Sequence, residues 1–439
     1  MSETPSFKKL FDPIQDGLKQ VESDIRAGNL KAAAERLNLL QREAPRDARI
    51  FFMGTSLAEA AGNPAAALQS AERAVSLYST WAPAHIELAG VLLRQGSVER
   101  ALEVADKAVS ITPPSLAVLE LATSIANSAN DPERVGRYLT AAHKLAPENL
   151  AVRRSLAFNL LDLGKIDDAW EMFTALMKIE PDNPVVRLGR GRAALARGDL
   201  PTASEDFKVL TALDPTDEVV AYYAVVAEGG TPATQPDVIT QITFDGYARR
   251  FDAHLVTLLK YRVPKRIAEI IRARYPDLAI TVLDLGCGTG LVGLYLGRPQ
   301  GGLVGVDLSP NMIAEAAKHN LYDRFHQVSL IDALRETPTA EFEVITAADV
   351  FIYVGEIEQA VKDARRVLRD NGAFVFSCEA TQADEPHLVL RKTMRYAHSE
   401  SSVRAMCEAA GFKSVEIESF DIRNEANAPV AGFIVCAST

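Results

Sequence analysis

The sequence is poor in the residues that mark secreted, membrane-spanning or metal-binding proteins. It has only four cysteines in 439 residues, and none of them stand in the C-x-x-C spacing of a zinc or redox site. No stretch approaches the run of about 18 apolar residues that a spanning helix needs, and the start, MSETPSFKKLF, lacks the apolar segment of a secretion signal. We therefore predict a cytoplasmic protein with no membrane partner, no metal site and no disulfide framework.

Basic residues are also in short supply. The chain has 47 Lys and Arg against 58 Asp and Glu, which gives a formal net charge of -11. Such a charge opposes binding to nucleic acid, so we expect no nucleic-acid partner. The apolar share of 48% is ordinary for a globular protein, and a chain of 439 residues should hold two or more domains.

The N-terminal half repeats itself every 34 residues. One position of the repeat favours a left-handed turn, a second takes a small side chain, and a third takes a proline that ends a helix. The three ladders are Gly28, Gly62, Gly96, Gly164 and Gly198, interrupted by Asn130; Ala33, Ala67, Ala101, Ala169 and Ala203, interrupted by Val135; and Pro45, Pro113, Pro147, Pro181 and Pro215, interrupted by Ser79. They resemble tetratricopeptide repeats. The resemblance implies an all-α solenoid over 1–227, with six repeats at 14–217 and a capping helix.

A solenoid of this kind curves and offers a concave groove. The resemblance implies that a protein or peptide binds there, either the substrate or a carrier protein. Formation of a homodimer and packing on the chain's own catalytic domain are the alternatives. The segment 228–240 begins EGGTPATQPDV, in which glycine and proline interrupt any helical period, so we predict a linker there.

The stretch LDLGCGTGL at 283–291 predicts a strand that runs into a ligand-binding turn. Gly286, Gly288 and Gly290 would let a ligand lie against bare backbone. A dinucleotide site would place its third glycine at position 291, which is leucine. The carboxylate of Asp284 would repel a pyrophosphate but attract an ammonium group. The spacing therefore favours an aminoacyl nucleoside as ligand.

A second predicted strand, 302–306, ends at Asp307, where an acidic residue can bind ribose hydroxyls. Together, DLGCGTG and the VGVDLS at 304–309 resemble the class I S-adenosylmethionine-dependent methyltransferases. The resemblance implies a doubly wound, mostly parallel, Rossmann-like α/β domain over 241–439, with S-adenosyl-L-methionine as cofactor and S-adenosyl-L-homocysteine as product. The cofactor-binding residues that it implies are Asp284, Gly286, Cys287, Gly288, Gly290, Asp307, Leu308, Met312, Asp332, Asp349 and Tyr247.

Two further segments and the ends of the next two strands complete the predicted site. The string FDGYARRFDAHLVTLLKYRVP at 244–264 and the RYAHS at 395–399 resemble bacterial predicted methyltransferases that carry tetratricopeptide repeats, and they imply a helical lid over the cofactor. Asp332 is placed by the resemblance at the end of a third strand, 325–329, beside the adenine amino group. Asp349, Phe351 and Tyr353 follow a fourth strand, so they should face the active site.

Methyl transfer requires an acceptor held in line with the methyl carbon and a group that removes its proton. His398 and His254 are the candidate bases, with Tyr353 beside them, although either histidine could equally be structural. Basic residues flank the presumed pocket at Lys260, Arg262, Lys265 and Arg266 and at Arg391, Lys392 and Arg395. They are solvated helix faces or, alternatively, a match for an acceptor carboxylate or phosphate.

We therefore predict a methyltransferase whose repeats recruit a peptide, protein or carrier-tethered acceptor. One alternative is an O- or N-methyltransferase of small molecules in which the repeats serve dimerisation. The other is a scaffold that binds the cofactor without transferring its methyl group. The sequence does not indicate the acceptor atom.

Overall fold

The computed structural model describes residues 12–111, 115–247, 261–425 and 428–439. These residues form two compact units, one up to Pro181 and one from Asp182 to Thr439. The predicted domain limits at 227 and 241 stay a prediction, and each unit is described here by itself. In the described residues no helix has the length and apolar character to cross a membrane.

The first unit is a row of helix pairs. Its helices are α1 (Pro13–Arg26), α2 (Leu30–Glu43), α3 (Ala48–Ala60), α4 (Pro64–Leu77), α5 (Ala82–Arg94), α6 (Val98–Ser110), α7 (Leu116–Ser128), α8 (Pro132–Leu145), α9 (Leu150–Asp162) and α10 (Ile166–Ile179). The turn inside each pair is left-handed, with φ of +76° at Gly28 and +49° at Asn130. The small-residue ladder is buried, from Ala33 to Ala169. Both properties confirm the predicted repeat.

The second unit begins with helices of the same kind. They are α11 (Pro184–Arg197), α12 (Leu200–Leu213) and α13 (Glu218–Ala227), followed by α14 (Asp237–Tyr247). A Cβ on Gly191 would lie 2.9 Å from the ring of Phe207, which shows how closely α11 and α12 approach. The predicted linker at 228–240 is only partly irregular, because Thr234 forms a β-bridge with Val354 and α14 already begins at Asp237.

An α/β domain follows, with helices on a largely parallel sheet. Its strands are β1 (Thr281–Leu285), β2 (Gly302–Asp307), β3 (Arg324–Gln327), β4 (Phe342–Ala347), β5 (Leu368–Ala380), β6 (Leu388–Leu390), β7 (Tyr396–His398), β8 (Ser414–Glu425) and β9 (Ala428–Ser438). Its helices are α15 (Val263–Arg274), α16 (Leu291–Leu296), α17 (Pro310–Ala317), α18 (Leu330–Glu336), α19 (Glu358–Val367) and α20 (Glu400–Ala409). A 3-10 helix at Phe351–Tyr353 follows β4.

The sheet confirms the predicted doubly wound topology. Strands β3, β2, β1, β4 and β5 lie side by side in this order and run parallel. Strand β9 joins β5 in the antiparallel direction, and β8 joins β9. The chain order reverses between β1 and β4, and ligands of such sheets bind at the carboxyl ends of the strands at this point.

The structure differs from the sequence-based prediction in two places at the carboxyl ends of the strands. Strand β3 ends at Gln327 rather than at position 329, because Ser329 caps the next helix by accepting a hydrogen bond from the N–H of Asp332. Asp332 therefore lies in the first turn of α18 and not at the end of a strand. The hairpin of β6 and β7 was not predicted. It adds to the carboxyl end of β5, where Glu379 pairs with Ala397.

Candidate cofactor and acceptor site

The glycine loop between β1 and α16 has the backbone that its sequence demands. Gly286, Gly288 and Gly290 have φ of +61°, +53° and +85°, which non-glycine residues rarely adopt. A Cβ on Gly286 would also lie 2.5 Å from Cγ2 of Val350. The N–H of Cys287 donates to the carbonyl of Val306 at 2.9 Å, so the loop is joined to the end of β2.

The carboxylate of Asp307 holds this loop from the neighbouring strand. Its Oδ2 accepts the N–H of Gly288 at 2.8 Å, and its Oδ1 accepts the N–H of Ser309 at 2.9 Å. Burial raises the pKa of Asp307, while these N–H donors oppose the rise. A carboxylate has about four acceptor sites, so Asp307 can still accept hydrogen bonds from the vicinal ribose hydroxyls. The residues present therefore fit the ribose of the cofactor.

Asp284 lies under the same loop. Its side chain is 1% exposed, and its two oxygens accept hydrogen bonds from the hydroxyls of Thr346 at 2.6 Å and Tyr322 at 2.7 Å. Burial raises the pKa of Asp284 to about 6, and the two hydroxyls hold it below where burial alone would put it. The contact of Asp284 with an ammonium group stays a prediction.

Helix α14 links the two ends of the site. The hydroxyl of Ser309 donates to Asp245 at 2.6 Å, and the side-chain amide of Asn311 donates to the carbonyl of Asp245 at 3.0 Å. One residue earlier, the ring of Phe244 meets the ring of Tyr353 edge-on, with 5.3 Å between centroids. The helix therefore spans from the end of β2 to the turn after β4, as a lid over the loop would.

Three other predicted cofactor residues lie near the end of β2. Met312 is buried in α17, Leu308 is half-buried beside Asp307, and burial raises the pKa of the Cys287 thiol. Tyr247 is the last residue of α14; its side chain, like the whole of His254, lies outside the described residues. Asp332 pairs with Arg335 and is partly exposed.

Asp349 takes the turn after β4 in a left-handed conformation, with φ of +58°. Its N–H donates to the hydroxyl of Ser377 at 2.8 Å, and its carboxylate faces the guanidinium of Arg423 at 3.2 Å. Arg423 is 2% exposed and was not predicted to belong to the site. The turn is thus held from β5 and from β8, while its place in cofactor binding stays a prediction.

The prediction that Phe351 faces the active site was wrong. Its ring is fully buried and packs edge-on against Phe376, with 5.3 Å between centroids, because the 3-10 helix turns it into the core. Tyr353, two residues later, is half-buried and meets the lid helix. Its catalytic role stays a prediction.

His398 ends β7 and is 2% exposed. Its Nε2 lies 2.9 Å from the carbonyl of Gly355, and within the described residues its Nδ1 has no hydrogen-bond partner. Burial lowers the pKa of His398, so the imidazole is neutral at pH 7. A neutral ring that donates through Nε2 keeps a lone pair on Nδ1, which is the protonation state that a base requires.

Three of the basic residues flanking the site are paired with acids, while Lys260 lies outside the described residues. Arg391 pairs with Glu385, Arg395 pairs with Glu425, and Arg266 pairs with Glu418 at 2.7 Å. The arrangement favours the structural interpretation of these groups over an anion-binding one. In the described part of the chain, no group of three or more His, Cys, Asp or Glu side chains is placed to hold a metal ion.

Comparison with known proteins agrees with this architecture. Residues 283–374 match the family model of a methyltransferase domain, and residues 56–115 and 160–227 match models of tetratricopeptide repeats. The chain therefore joins tetratricopeptide repeats to a methyltransferase domain. Together with the fit of the glycine loop and Asp307, this domain identifies S-adenosylmethionine as the cofactor.

Several curated relatives share part of the chain. Malonyl-[acyl-carrier protein] O-methyltransferase of Geobacter sulfurreducens is 28% identical over 186 residues, which cover 39% of this chain and 68% of the relative. An uncharacterized protein of Haemophilus influenzae is 36% identical over 105 residues, 22% of this chain and 41% of that protein. Human methyltransferase-like protein 27 is 32% identical over 114 residues, 25% of this chain and 46% of that protein. The chain thus spans less than half the length of the latter two.

Solved structures resemble the two halves separately. YrrB, a tetratricopeptide-repeat protein with a peptide-binding site, matches 44% of this chain and 97% of its own, with 18% identity and a TM-score of 0.37. The Burkholderia thailandensis 1,6-didemethyltoxoflavin-N1-methyltransferase, solved with S-adenosylhomocysteine, matches 48% of this chain and 92% of its own, with 17% identity and a TM-score of 0.38.

Proposed function

We propose that this protein methylates an acceptor that its repeats recruit, namely a peptide, a protein or a group tethered to a carrier protein. S-adenosylmethionine supplies a methyl group already activated by its sulfonium. The protein then has to bind the cofactor, orient the acceptor and take up a proton where the acceptor carries one.

The described residues divide these tasks between neighbouring strands. Asp307 would hold the ribose hydroxyls and the glycine loop would admit the cofactor against its backbone. Asp332 would accept the adenine amino group, and Asp284 would face the ammonium group. His398, with its neutral ring, would take the proton, and Tyr353 would orient the acceptor. His254, which lies outside the described residues, is the other candidate for the base.

The junction after the last repeat carries the recruitment hypothesis. Beyond the β-bridge of Thr234 with Val354, the N–H of Gln235 donates to the carbonyl of Tyr353 at 3.1 Å. The N–H of Glu356 donates to the carbonyl of Ala233 at 2.7 Å. The segment that leaves the repeats is thus bonded to the turn after β4. A repeat array used only to dimerise would not need this connection.

The last repeat helix makes a second contact with the same end of the sheet. The hydroxyls of Tyr222 in α13 and Tyr396 in β7 are buried near each other, although neither makes a hydrogen bond within the described residues. Burial raises the pKa of Tyr222 to about 12. Strand β7 also carries His398. The repeats therefore end on the elements that carry the candidate base, which supports presentation of the acceptor by the repeats.

The acceptor class draws support from one relative. The Geobacter protein is named for a malonyl group on an acyl-carrier protein, an acceptor presented by another protein. The same mode of presentation would suit a chain that carries a protein-binding solenoid. We therefore rank carrier-tethered and peptide acceptors above free small molecules.

The test uses the full-length protein with methyl-labelled cofactor in a cell extract from which proteins and small molecules are then separated. Label in the protein fraction, absent with Asp307→Ala, supports the proposal. Label confined to small molecules favours the small-molecule alternative, and sedimentation of the full chain at micromolar concentration then shows whether it dimerises. Binding of S-adenosylhomocysteine without any labelled product favours the scaffold.

A further inference from the structure

Arg423 is a buried guanidinium that gathers three carboxylates. Its Nε donates to Glu425 at 2.7 Å, its Nη2 to Glu379 at 2.8 Å, and its Nη1 faces Asp349 at 3.2 Å. The three acids come from β8 itself, from the end of β5 and from the turn after β4. They raise the pKa of Arg423, although burial opposes this, so it stays charged.

A β-bulge lies immediately before this residue. The pairing of β8 with β9 shifts register between Asp421 and Arg423, and both Ile422 and Arg423 are buried. Bulges change the direction of a strand's side chains and are frequent beside active sites. The bulge accounts for a charged side chain at the carboxyl ends of β4 and β5.

Stability alone does not explain why Arg423 and its three carboxylates are buried together. Moving a charge out of water is unfavourable, and its attraction to buried partners often does no more than offset that cost. Well-packed apolar residues would be as stable. What the fork of a guanidinium adds is fixed geometry, because its donors diverge in one plane toward several acceptors at once.

The residue after Asp349, which Arg423 holds, lies against the glycine loop. Asp349 is held in a left-handed conformation, and Val350 follows it. Val350 packs directly beside Gly286, since a Cβ added to Gly286 would lie only 2.5 Å from Cγ2 of Val350. A shift of the Asp349 turn would therefore move Val350 against the glycine loop or open a gap beside it.

We propose that Arg423 is a positioning residue, which acts through Asp349 and Val350 to set the shape of the cofactor site at Gly286. It does not touch the reacting atoms. The inference rests on the proposed function in one respect, that the loop at Gly286 binds S-adenosylmethionine and its demethylated product.

The same network reaches the hairpin of β6 and β7. Glu379 also lies 3.6 Å from Arg391, and Glu425 pairs with Arg395. Both arginines lie on the loop between the two hairpin strands. Arg423 thereby ties the turn after β4 to the hairpin that carries His398, so a change at Arg423 should also disturb the acceptor side.

The experiment compares Arg423→Lys with the matched control Arg366→Lys in the full-length protein. Arg366 is also a partly buried guanidinium with several acceptors, the carboxylate of Asp363 and the carbonyls of Thr337 and Leu334, but it lies on α19 away from the glycine loop. Lysine keeps the charge and loses the fork in both. Affinity for S-adenosylhomocysteine is measured by calorimetry and stability by thermal unfolding.

We expect Arg423→Lys to weaken the binding of S-adenosylhomocysteine about tenfold, the size of one lost charge-assisted contact. Arg366→Lys should lower the Tm without changing the affinity. Because Arg423 acts through Asp349, Asp349→Asn should also weaken binding, and the double variant should bind no more weakly than the worse single one. Wild-type affinity in Arg423→Lys, or additive losses in the double variant, would overturn the proposal.

If Arg423→Lys does not fold, Glu379→Gln decides, since it weakens the hold on Arg423 and leaves Asp349, itself a predicted cofactor residue, unchanged. Wild-type affinity in that variant overturns the proposal and a loss of affinity supports it. A wild-type protein that does not bind S-adenosylhomocysteine would instead refute the proposed function, so the two failures are distinguishable.

Discussion

The hydroxyl of Ser309 donates to Asp245 in the lid helix at 2.6 Å while accepting the N–H of Met312 at 3.1 Å. One side chain thus caps α17 and ties down α14. The cap concerns the stability of α17, whereas the tie concerns the cofactor site, because Ser309 lies two residues from Asp307. These two roles can be separated by mutation.

Ser309→Ala should lower both stability and cofactor affinity. A lost N-cap costs about 1 kcal/mol, and loss of the tie to Asp245 should weaken S-adenosylhomocysteine binding roughly three- to tenfold. Asp245→Ala should weaken binding with the cap intact. The control is Ser399→Ala, because Ser399 caps α20 in the same way through the N–H of Ser402. If Ser309→Ala and Asp245→Ala bind S-adenosylhomocysteine as tightly as the wild type and the Ser399→Ala control, α14 is not a lid.

Asp284→Asn should change stability in a pH-dependent way. The pKa of Asp284 rises from 3.8 to about 6 on folding, so between these values the folded protein binds more protons than the unfolded chain. The free energy of unfolding of the wild type therefore falls as pH rises through this window, by about 3 kcal/mol in total from this group. Asparagine does not ionise, so the variant does not lose this stability as the pH rises. Denaturant unfolding at pH 5 and pH 8 should show the variant gaining on the wild type at the higher pH.

Cofactor binding should respond in the opposite direction. If the Asp284 carboxylate faces the ammonium group, Asp284→Asn weakens S-adenosylhomocysteine binding most at pH 8, where the wild type is ionised. At pH 5 the wild-type group is largely protonated and the difference should shrink. An affinity ratio that does not vary with pH would contradict the predicted ammonium contact.

Gly286→Ala should nearly abolish cofactor binding. The left-handed φ costs a non-glycine residue about 1–2 kcal/mol, and the new Cβ meets Val350. Val350→Ala in the same chain removes the clash but not the backbone strain, so the double variant should recover part of the affinity. No recovery would mean that the Val350 contact is unimportant for the shape of the loop.

His398→Gln should lower turnover by about 100-fold or more, as loss of a general base does, with near-normal binding of S-adenosylhomocysteine. Because burial lowers the pKa of His398, the wild-type rate should hold below pH 6.5 and fall only in more acidic solution. The exposed His326 on β3 provides the control variant, His326→Gln. A wild-type rate in His398→Gln would leave the ring a purely structural role.

The features that the sequence predicts well are those that a local backbone conformation requires. Gly28 and its equivalents, and Gly286 to Gly290, are needed because their φ is positive, a requirement that few other residues meet. Asp307 could be placed because it ends a continuous buried strand. Such local requirements leave a pattern that one sequence is sufficient to show.

Features set by a short turn, a single capping side chain or a distant contact were missed. The direction of Phe351 depends on a short 3-10 helix, and the position of Asp332 depends on a cap at Ser329. Arg423 enters the site through a bulge in β8. No periodicity marks such a residue, because the acids that pair with it come from the turn after β4, from β5 and from the end of its own strand.

The bonds of Ala233, Thr234 and Gln235 to the turn after β4 also bear on how such a protein can evolve. The final repeat belongs to the same compact unit as the enzyme, whereas the helix pairs up to Pro181 form a unit of their own. Under the proposed function, gain or loss of 34-residue repeats in that first unit would alter which molecules are recruited and leave the methyltransferase domain unchanged. Exchange of the last repeat between relatives would require matching changes around Val354 and Tyr396.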